Sequence, residues 1–389
     1  MKKILWSLAV STVSLFLVAM LSGCKGPEGP TGPKGDAGQN GTDGTSGANG
    51  LNAGFVYFDG FKDSLRCANC HNPETDTTFY IGGRALQWEE SKHGGGTAWE
   101  ENRSACAECH TTEGFMMKAK GMTVTDIPNA TPPGCFACHS PHSNGNFSLR
   151  VTTAAQLTLN SNITGVAAST FNVGKGNLCV GCHRPRTLSP LPDPTKTAAT
   201  DTLKITSNRW YAHYGVQGQI LTGVGAFQWT DAAAYAKTAA HSTNAPINTE
   251  GCLTCHMADY SPANAYGDKI GGHTMKISYL AEGSTTPVEM LNGCKLCHSS
   301  ITKLDYNGKI TQFNTKMAAL KALLVARKWI DTNDVILGTS SNVLKITPAA
   351  RSGALFNYMM LVHDGSHGVH NPSYANSMLD ASIAELSKP

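Results

Sequence analysis

The sequence predicts a mainly α, loop-rich fold organised around stacked prosthetic groups, with a helical C-terminal layer. Three observations predict it. Six Cys-x-x-Cys-His motifs punctuate residues 67–298. Eight further histidines lie among and beyond them. Residues 299–389 carry no such motif, and their apolar residues recur at helical spacing, whereas strand patterns are few along the whole chain.

The motifs are Cys67/Cys70/His71, Cys106/Cys109/His110, Cys135/Cys138/His139, Cys179/Cys182/His183, Cys252/Cys255/His256 and Cys294/Cys297/His298. They use twelve of the thirteen cysteines. The pattern is that of c-type haem attachment. Two thiols one turn apart add to the haem vinyl groups, and the adjacent histidine becomes the proximal iron ligand. A zinc ribbon or a disulfide framework also uses paired cysteines, but neither needs a histidine after each of six pairs. The implied cofactor is six haem c groups, which makes the stack one of haems. Their flat apolar faces replace part of a conventional core, which suits a chain with 7% aromatic residues.

The thirteenth cysteine has a different context. Residues 1–23 read as a signal peptide: Lys2 and Lys3, an apolar run from Ile4 to Leu21, then Leu21-Ser22-Gly23-Cys24. That ending resembles a bacterial lipobox, with Cys24 lipidated as the mature N-terminus; an ordinary cleaved signal or a retained membrane helix are the alternatives. Residue 25 is Lys, not the Asp of inner-membrane retention, so the resemblance implies the outer membrane. Anchoring would then be by lipid alone, facing the periplasm or the cell exterior. Residues 24–54 hold the lipidated cysteine and a collagen-like Gly-X-Y tract. Glycine occupies every third position from Gly26 to Gly50, with Pro27, Pro30 and Pro33 in the first triplets. The tract reads either as a solvated tether of roughly 75 Å at ~3.1 Å per residue, or as a triple helix that would make the protein a trimer.

Charge excludes some partners. The formal charge is +3 and no basic run offers a nucleic-acid surface. Six haems bring about twelve propionates, which would turn the total to roughly −9 if all are ionised.

The histidines beyond the motifs are His93, His142, His213, His241, His273, His363, His367 and His370. A second histidine on each iron would use six of them. Such ligation saturates the metal and favours electron transfer over substrate binding. His93 and His241 each lie shortly before a motif. His142 follows directly on one, close enough to its own haem to reach a neighbour stacked on it. Met257, Met116 and Met117 could serve as axial ligands in principle, but enough histidines exist without them, so they read as packing residues.

A longer succession carries a resemblance. Asn208-Arg209-Trp210, His213, Gln217, Leu221 and Gly223, then His241, then Cys252–Met257, then Gly271-Gly272-His273-Thr274-Met275, then Asp364-Gly365-Ser366 and Gly368-Val369-His370-Asn371-Pro372 follow in order. This resembles the multihaem cytochromes c of metal-respiring bacteria. It is distantly similar to the nitrite reductase/hydroxylamine oxidoreductase superfamily. The resemblance implies a multihaem cytochrome c fold and distal ligands at His93, His142, His213, His241, His273 and His370. His363 and His367 fall where that pattern needs no ligand.

The organisation expected is then 55–298 as a hexahaem-binding region and 299–389 as helices packing on it. The stretch with Pro185, Pro190, Pro192 and Pro194 reads as a loop, and Asp231–Ala240 as a short Ala-rich helix. Asn314–Ile330 is an apolar-striped helix. Thr347-Pro348 and Asn371-Pro372 both look like N-cap and N1 pairs opening helices. The function expected is electron transfer in an outer-membrane lipoprotein of respiratory or extracellular electron flow. Its partners would be redox cytochromes, a porin–cytochrome conduit or a metal-oxide acceptor. The alternatives are a nitrite, hydroxylamine or sulfur-oxyanion reductase with one open haem, or a haem filament. No Cys-x-x-Cys-Lys variant of the kind used by such nitrite reductases is present.

Overall fold

The computed structural model describes residues 68–71, 79–158, 168–237, 240–259 and 266–389. The expected signal peptide, Cys24, the Gly-X-Y tract and Cys67 lie outside the described residues. Of the first motif's three named residues, Cys70 and His71 are described. All described residues belong to one structural unit, Asn52–Pro389.

Each motif rests on a short helical turn: Ala68–His71, Ser104–His110, Cys135–Cys138, Gly176–Val180, Leu253–His256 and Asn292–Lys295. In four of them the histidine amide donates back to the first cysteine carbonyl. These bonds are His139 to Cys135 at 2.9 Å, His183 to Cys179 at 2.9 Å, His256 to Cys252 at 3.0 Å and His298 to Cys294 at 2.8 Å. An i→i−4 bond closes one α-turn, which sets both sulfurs on one face with the imidazole just beyond.

Strands play a small part among the described residues. They form three two-stranded antiparallel ladders. Ala155–Thr158 pairs with Ala168–Phe171, Leu203–Ile205 with Leu344–Ile346, and Ser278–Tyr279 with Val288–Glu289. The second ladder ties the long stretch between the fourth and fifth motifs to the C-terminal region.

That tie locates the core. Helices Lys309–Ala326, Ser352–Asp364 and Pro372–Ser387 pack together, and Trp210, Phe227, Trp229 and Tyr235 from the long stretch are buried in the same cluster. Ser352–Asp364 is the central member, buried continuously from Ser352 to Leu361. It accordingly lacks a polar face. Asn357 sits in its middle. Its Oδ1 accepts from the Phe227 amide at 2.8 Å and its Nδ2 donates to the Phe227 carbonyl at 2.9 Å. The Tyr374 hydroxyl accepts from the Ala226 amide at 2.9 Å. An irregular segment is thus buried with its backbone groups paired.

Several local expectations need correction. Asp231–Lys237 is irregular, and the helix there is only Ala240–Thr243. Tyr235 is drawn inward, its hydroxyl donating to the Phe227 carbonyl at 2.8 Å, and this tertiary bond overrides alanine propensity. Asn371-Pro372 does open a helix, with Asn371 Oδ1 accepting from the Tyr374 amide at 3.2 Å. Thr347-Pro348 does not. Pro348 has ψ 152°, a 3₁₀ turn Ala349–Arg351 follows, and the helix begins at Ser352. The helix expected from Asn314 begins earlier, at Lys309. Asp305 Oδ1 accepts from the Ile310 amide at 2.8 Å, capping the first turn. It also ends earlier, at Ala326, since Lys328 adopts φ 57°. The proline-rich stretch is irregular as expected. No described helix is long and apolar enough to cross a membrane.

Gly353 faces the Phe227 ring so closely that a Cβ there would overlap it. Gly353→Ala should therefore lower stability by about 1–3 kcal/mol through overpacking. A thermal melt that leaves Tm unchanged would contradict this packing.

Candidate functional site

The histidines meet in twos. His71 faces His142 with ring centroids 6.3 Å apart, His183 faces His93 at 6.1 Å, and His110 faces His213 at 6.0 Å. His139 faces His273 at 6.4 Å, His298 faces His241 at 6.3 Å, and His256 faces His370 at 6.2 Å. Every motif histidine thus has one distal candidate opposite it, and each of the six candidates is used once. Metal–imidazole bonds are about 2.0 Å and the ring centroid lies about 1.1 Å behind the nitrogen, so two imidazoles on opposite sides of one metal stand about 6.2 Å apart. All six pairs have that spacing. Their ring planes run from nearly parallel, 12° for His71 and His142, to nearly perpendicular, 87° for His241 and His298.

Hydrogen bonds turn the rings. A carbonyl can only accept, so an Nδ1 bonded to one carries the proton and leaves Nε2 as the bare nitrogen. His241 Nδ1 donates to the Val369 carbonyl at 2.7 Å, His256 Nδ1 to Met275 at 3.1 Å and His139 Nδ1 to Ser148 at 3.4 Å. His183 Nδ1 donates to Gln217 Oε1 at 3.2 Å. The orientation of Gln217 is fixed because its Nε2 donates to the carbonyls of Tyr214 and His363, both at 3.0 Å. His93 Nδ1 lies 2.9 Å from the Met275 sulfur, and His370 Nδ1 donates to the Asp364 carboxylate at 2.7 Å.

Burial keeps most of these rings neutral, the form that binds metal. It pushes His93 and His273 down to about 4 and lowers His139, His183, His213, His241 and His256. His370 differs. Burial, the largest single influence, works against its charged form, but the charge and hydrogen bond of Asp364, with a smaller contribution from Cys252, bring the net shift upward.

Local structure explains the placements. His142 lies on the Pro141–Asn144 turn straight after the third motif, so His139 and His142 face separate partners three residues apart. His273 lies in a 3₁₀ turn, Gly272–Thr274, whose amide donates to Gln87 Oε1 at 3.0 Å. Gln87 fills the space where a side chain at Gly272 would project, and Gly272 has φ 50°. Both facts require glycine there. His370 stands directly before the Pro372–Ser387 helix.

Several motifs adjoin one another in space. The Cys109 and Cys182 thiols share a hydrogen bond that lowers Cys109 to about 7 and raises Cys182. A hydrogen bond with Cys179 raises Cys252. Cys255 lies near Cys294 and Cys297. Cys138 and Cys182 both pack on the cluster of Phe115, Ala137 and Leu178. Cys106 is buried, whereas Cys135 is exposed. None of the described motif cysteines is in a disulfide.

Cys70 is half-buried on the Ala68–His71 turn and is not in a disulfide. Cys67 lies outside the described residues. His71, next to Cys70 in the chain, has its ring facing His142.

His363 and His367 face no motif imidazole among the described residues. His367 is exposed, with Nδ1 2.9 Å from Asn314 Oδ1. His363 is held between Tyr211 and Tyr214, at 4.3 and 4.4 Å. Its Nε2 is buried without a hydrogen-bond partner, and burial lowers it to about 4. Met116 is buried, as a packing residue would be. Sequence reasoning passed over the supporting roles of Gln217, Met275 and Asp364, which served only as landmarks of the resemblance. Their nearness to histidines in the chain was the available signal.

Among solved structures, the chain is similar to the outer cell wall cytochrome OcwA, with a TM-score of 0.44 and 18% identity. The match covers 78% of this chain and 50% of the OcwA chain, so this chain spans about half of that protein's length. No protein-family model matches, and no curated protein matches. At that TM-score the likeness settles neither fold nor ligands.

Proposed function

We propose that the chain holds six covalently attached c-type haems, each iron between one motif histidine and one distal histidine, and that it relays electrons among them. The observation that carries this reading is the one-to-one pairing of motif and distal imidazoles at 6.0–6.4 Å. Among the described residues, no three histidine, cysteine or carboxylate side chains gather as a metal site made of protein alone would require. Each facing pair of imidazoles would hold an iron whose remaining ligands a porphyrin would supply. The motif cysteines, carried on or beside the helical turns, would take the vinyl groups. At the first centre these would be Cys70 and Cys67, by analogy with the other five.

The haem, when bound, supplies the one-electron chemistry. The chain's own residues fix spacing and order. Contacts between Cys109 and Cys182, between Cys179 and Cys252, and of Cys255 with Cys294 and Cys297 set the second, fourth, fifth and sixth attachment points side by side. His142 joins the first centre to the third. Electrons would then pass between neighbouring porphyrin edges without any group being transferred. Two histidines on every iron would leave no position for substrate.

One cluster favours the reductase reading. His213 has φ 67°, a conformation a non-glycine residue holds at a cost of roughly 1 kcal/mol or more. Tyr214, Tyr211 and the unpartnered His363 Nε2 stand beside it. An iron released by His213 would open onto two hydroxyls and a buried imidazole.

The proposal extends to location. A lipid on Cys24 and the Gly-X-Y tract as a spacer would hold the haem region near an outer-membrane donor or acceptor: a cytochrome, a porin–cytochrome conduit or a metal oxide. The lipobox-like Leu21-Ser22-Gly23-Cys24 supports this.

The relay predicts six haems per chain and only low-spin ferric signals by electron paramagnetic resonance. A high-spin signal of about one haem in six would overturn it in favour of the reductase. His241→Ala should give one haem that binds carbon monoxide and leave five that do not; a variant indifferent to carbon monoxide would remove His241 from the ligand set. For the anchor, Cys24→Ala should move the protein from the membrane to the soluble fraction, and unchanged membrane retention would contradict lipidation.

A further inference from the structure

The ring hydrogen bonds at the paired histidines are not equivalent. Four of the described Nδ1 acceptors are neutral oxygens: the Val369, Met275 and Ser148 carbonyls and Gln217 Oε1. One is the Met275 sulfur. At His370 alone among them the acceptor is a carboxylate, Asp364 Oδ1 at 2.7 Å.

Asp364 is built into place. It ends the Ser352–Asp364 helix, and its side chain is 1% exposed. Gly365 turns the chain with φ 66°, and Ser366 Oγ donates to the second carboxylate oxygen in a short bond. The His370 amide donates to Ser366 Oγ at 3.3 Å. Asp364, Ser366 and His370 thus form one closed loop of bonds. A buried carboxylate has few ways to be satisfied, and here its partners are that hydroxyl and the imidazole.

An anion on the far side of an axial imidazole raises the basicity of the metal-binding nitrogen. A more basic ligand stabilises the ferric over the ferrous state and lowers the reduction potential. We propose that Asp364 is a positioning residue that makes the centre of Cys252, Cys255, His256 and His370 the lowest-potential haem of the six. This rests on the haem reading above. The position of that centre gives the proposal a consequence. Cys252 adjoins Cys179 and Cys255 adjoins Cys294, so the low-potential haem lies inside the relay, between the fourth and sixth centres. An internal low step slows an electron resting on either side and favours transfer from strongly reducing donors.

The test uses the full-length holoprotein, titrated potentiometrically while each haem is followed by visible and electron paramagnetic resonance spectra. Asp364→Asn keeps an acceptor and removes the charge. One midpoint potential, the lowest, should rise while the other five stay put and all six haems remain low-spin. Ser366→Ala withdraws a donor from the carboxylate and leaves it a stronger acceptor for His370, so the same midpoint should fall. Six unchanged midpoints in Asp364→Asn with haem content intact would overturn the proposal. Should Asp364→Asn lose haem, Ser366→Ala decides alone, and a midpoint that does not fall overturns it. A wild-type protein with fewer than six haems would instead sink the underlying reading.

Discussion

A gap of about 6.2 Å between two facing imidazoles is the constraint on which the rest of the structure depends. Meeting it once is easy. Meeting it six times, with each distal histidine arriving from a different part of the chain, restricts almost every loop. His93 comes from the segment after a short helix, His142 from a turn next to another motif, and His213 and His241 from either end of the Trp229 region. His273 comes from a 3₁₀ turn and His370 from the entrance to the last helix. Such loops would be costly to order for their own contacts. On the proposed reading, ligation at both ends of each pair would offset that cost and couple metal binding to folding.

The conventional core complements this. Its largest part lies at the C-terminal end, where three helices bury the aromatic residues of the 210–235 stretch. Asn357 and Tyr374 hold the backbone of that stretch from inside the core. The same C-terminal region reaches toward three centres. Val369 accepts from His241, Asp364 accepts from His370, and the His363 carbonyl holds the glutamine that orients His183. The helical layer therefore acts as a positioning scaffold for histidines bound to other parts of the chain. Met275 does similar work from a loop, its carbonyl serving His256 and its sulfur lying against His93.

Much of this was legible in the sequence because the Cys-x-x-Cys-His motif is local. Two cysteines and a histidine in five residues state their own geometry, and the helical turns follow from it. The distal histidines are a weaker signal. A lone histidine carries no mark of its partner, and only their order beside known landmarks selected six of the eight. Which distal ring meets which motif could not be read, since it depends on folding across as many as 134 residues between His139 and His273. Helix limits failed for ordinary reasons. Asp305 caps a helix from outside its apolar stripe, and Tyr235 is drawn into the core against local propensity. The carboxylate behind His370 was invisible as such: Asp364 reads as a helix-terminal residue until the fold brings it against the ring.

Iron-edge anomalous diffraction from crystals of the holoprotein tests the central claim most directly. The account predicts six iron peaks per chain, each midway between one named pair, from His71 and His142 through to His298 and His241. An iron bound to a motif histidine but not to its facing imidazole, or one shared with His363, would contradict it.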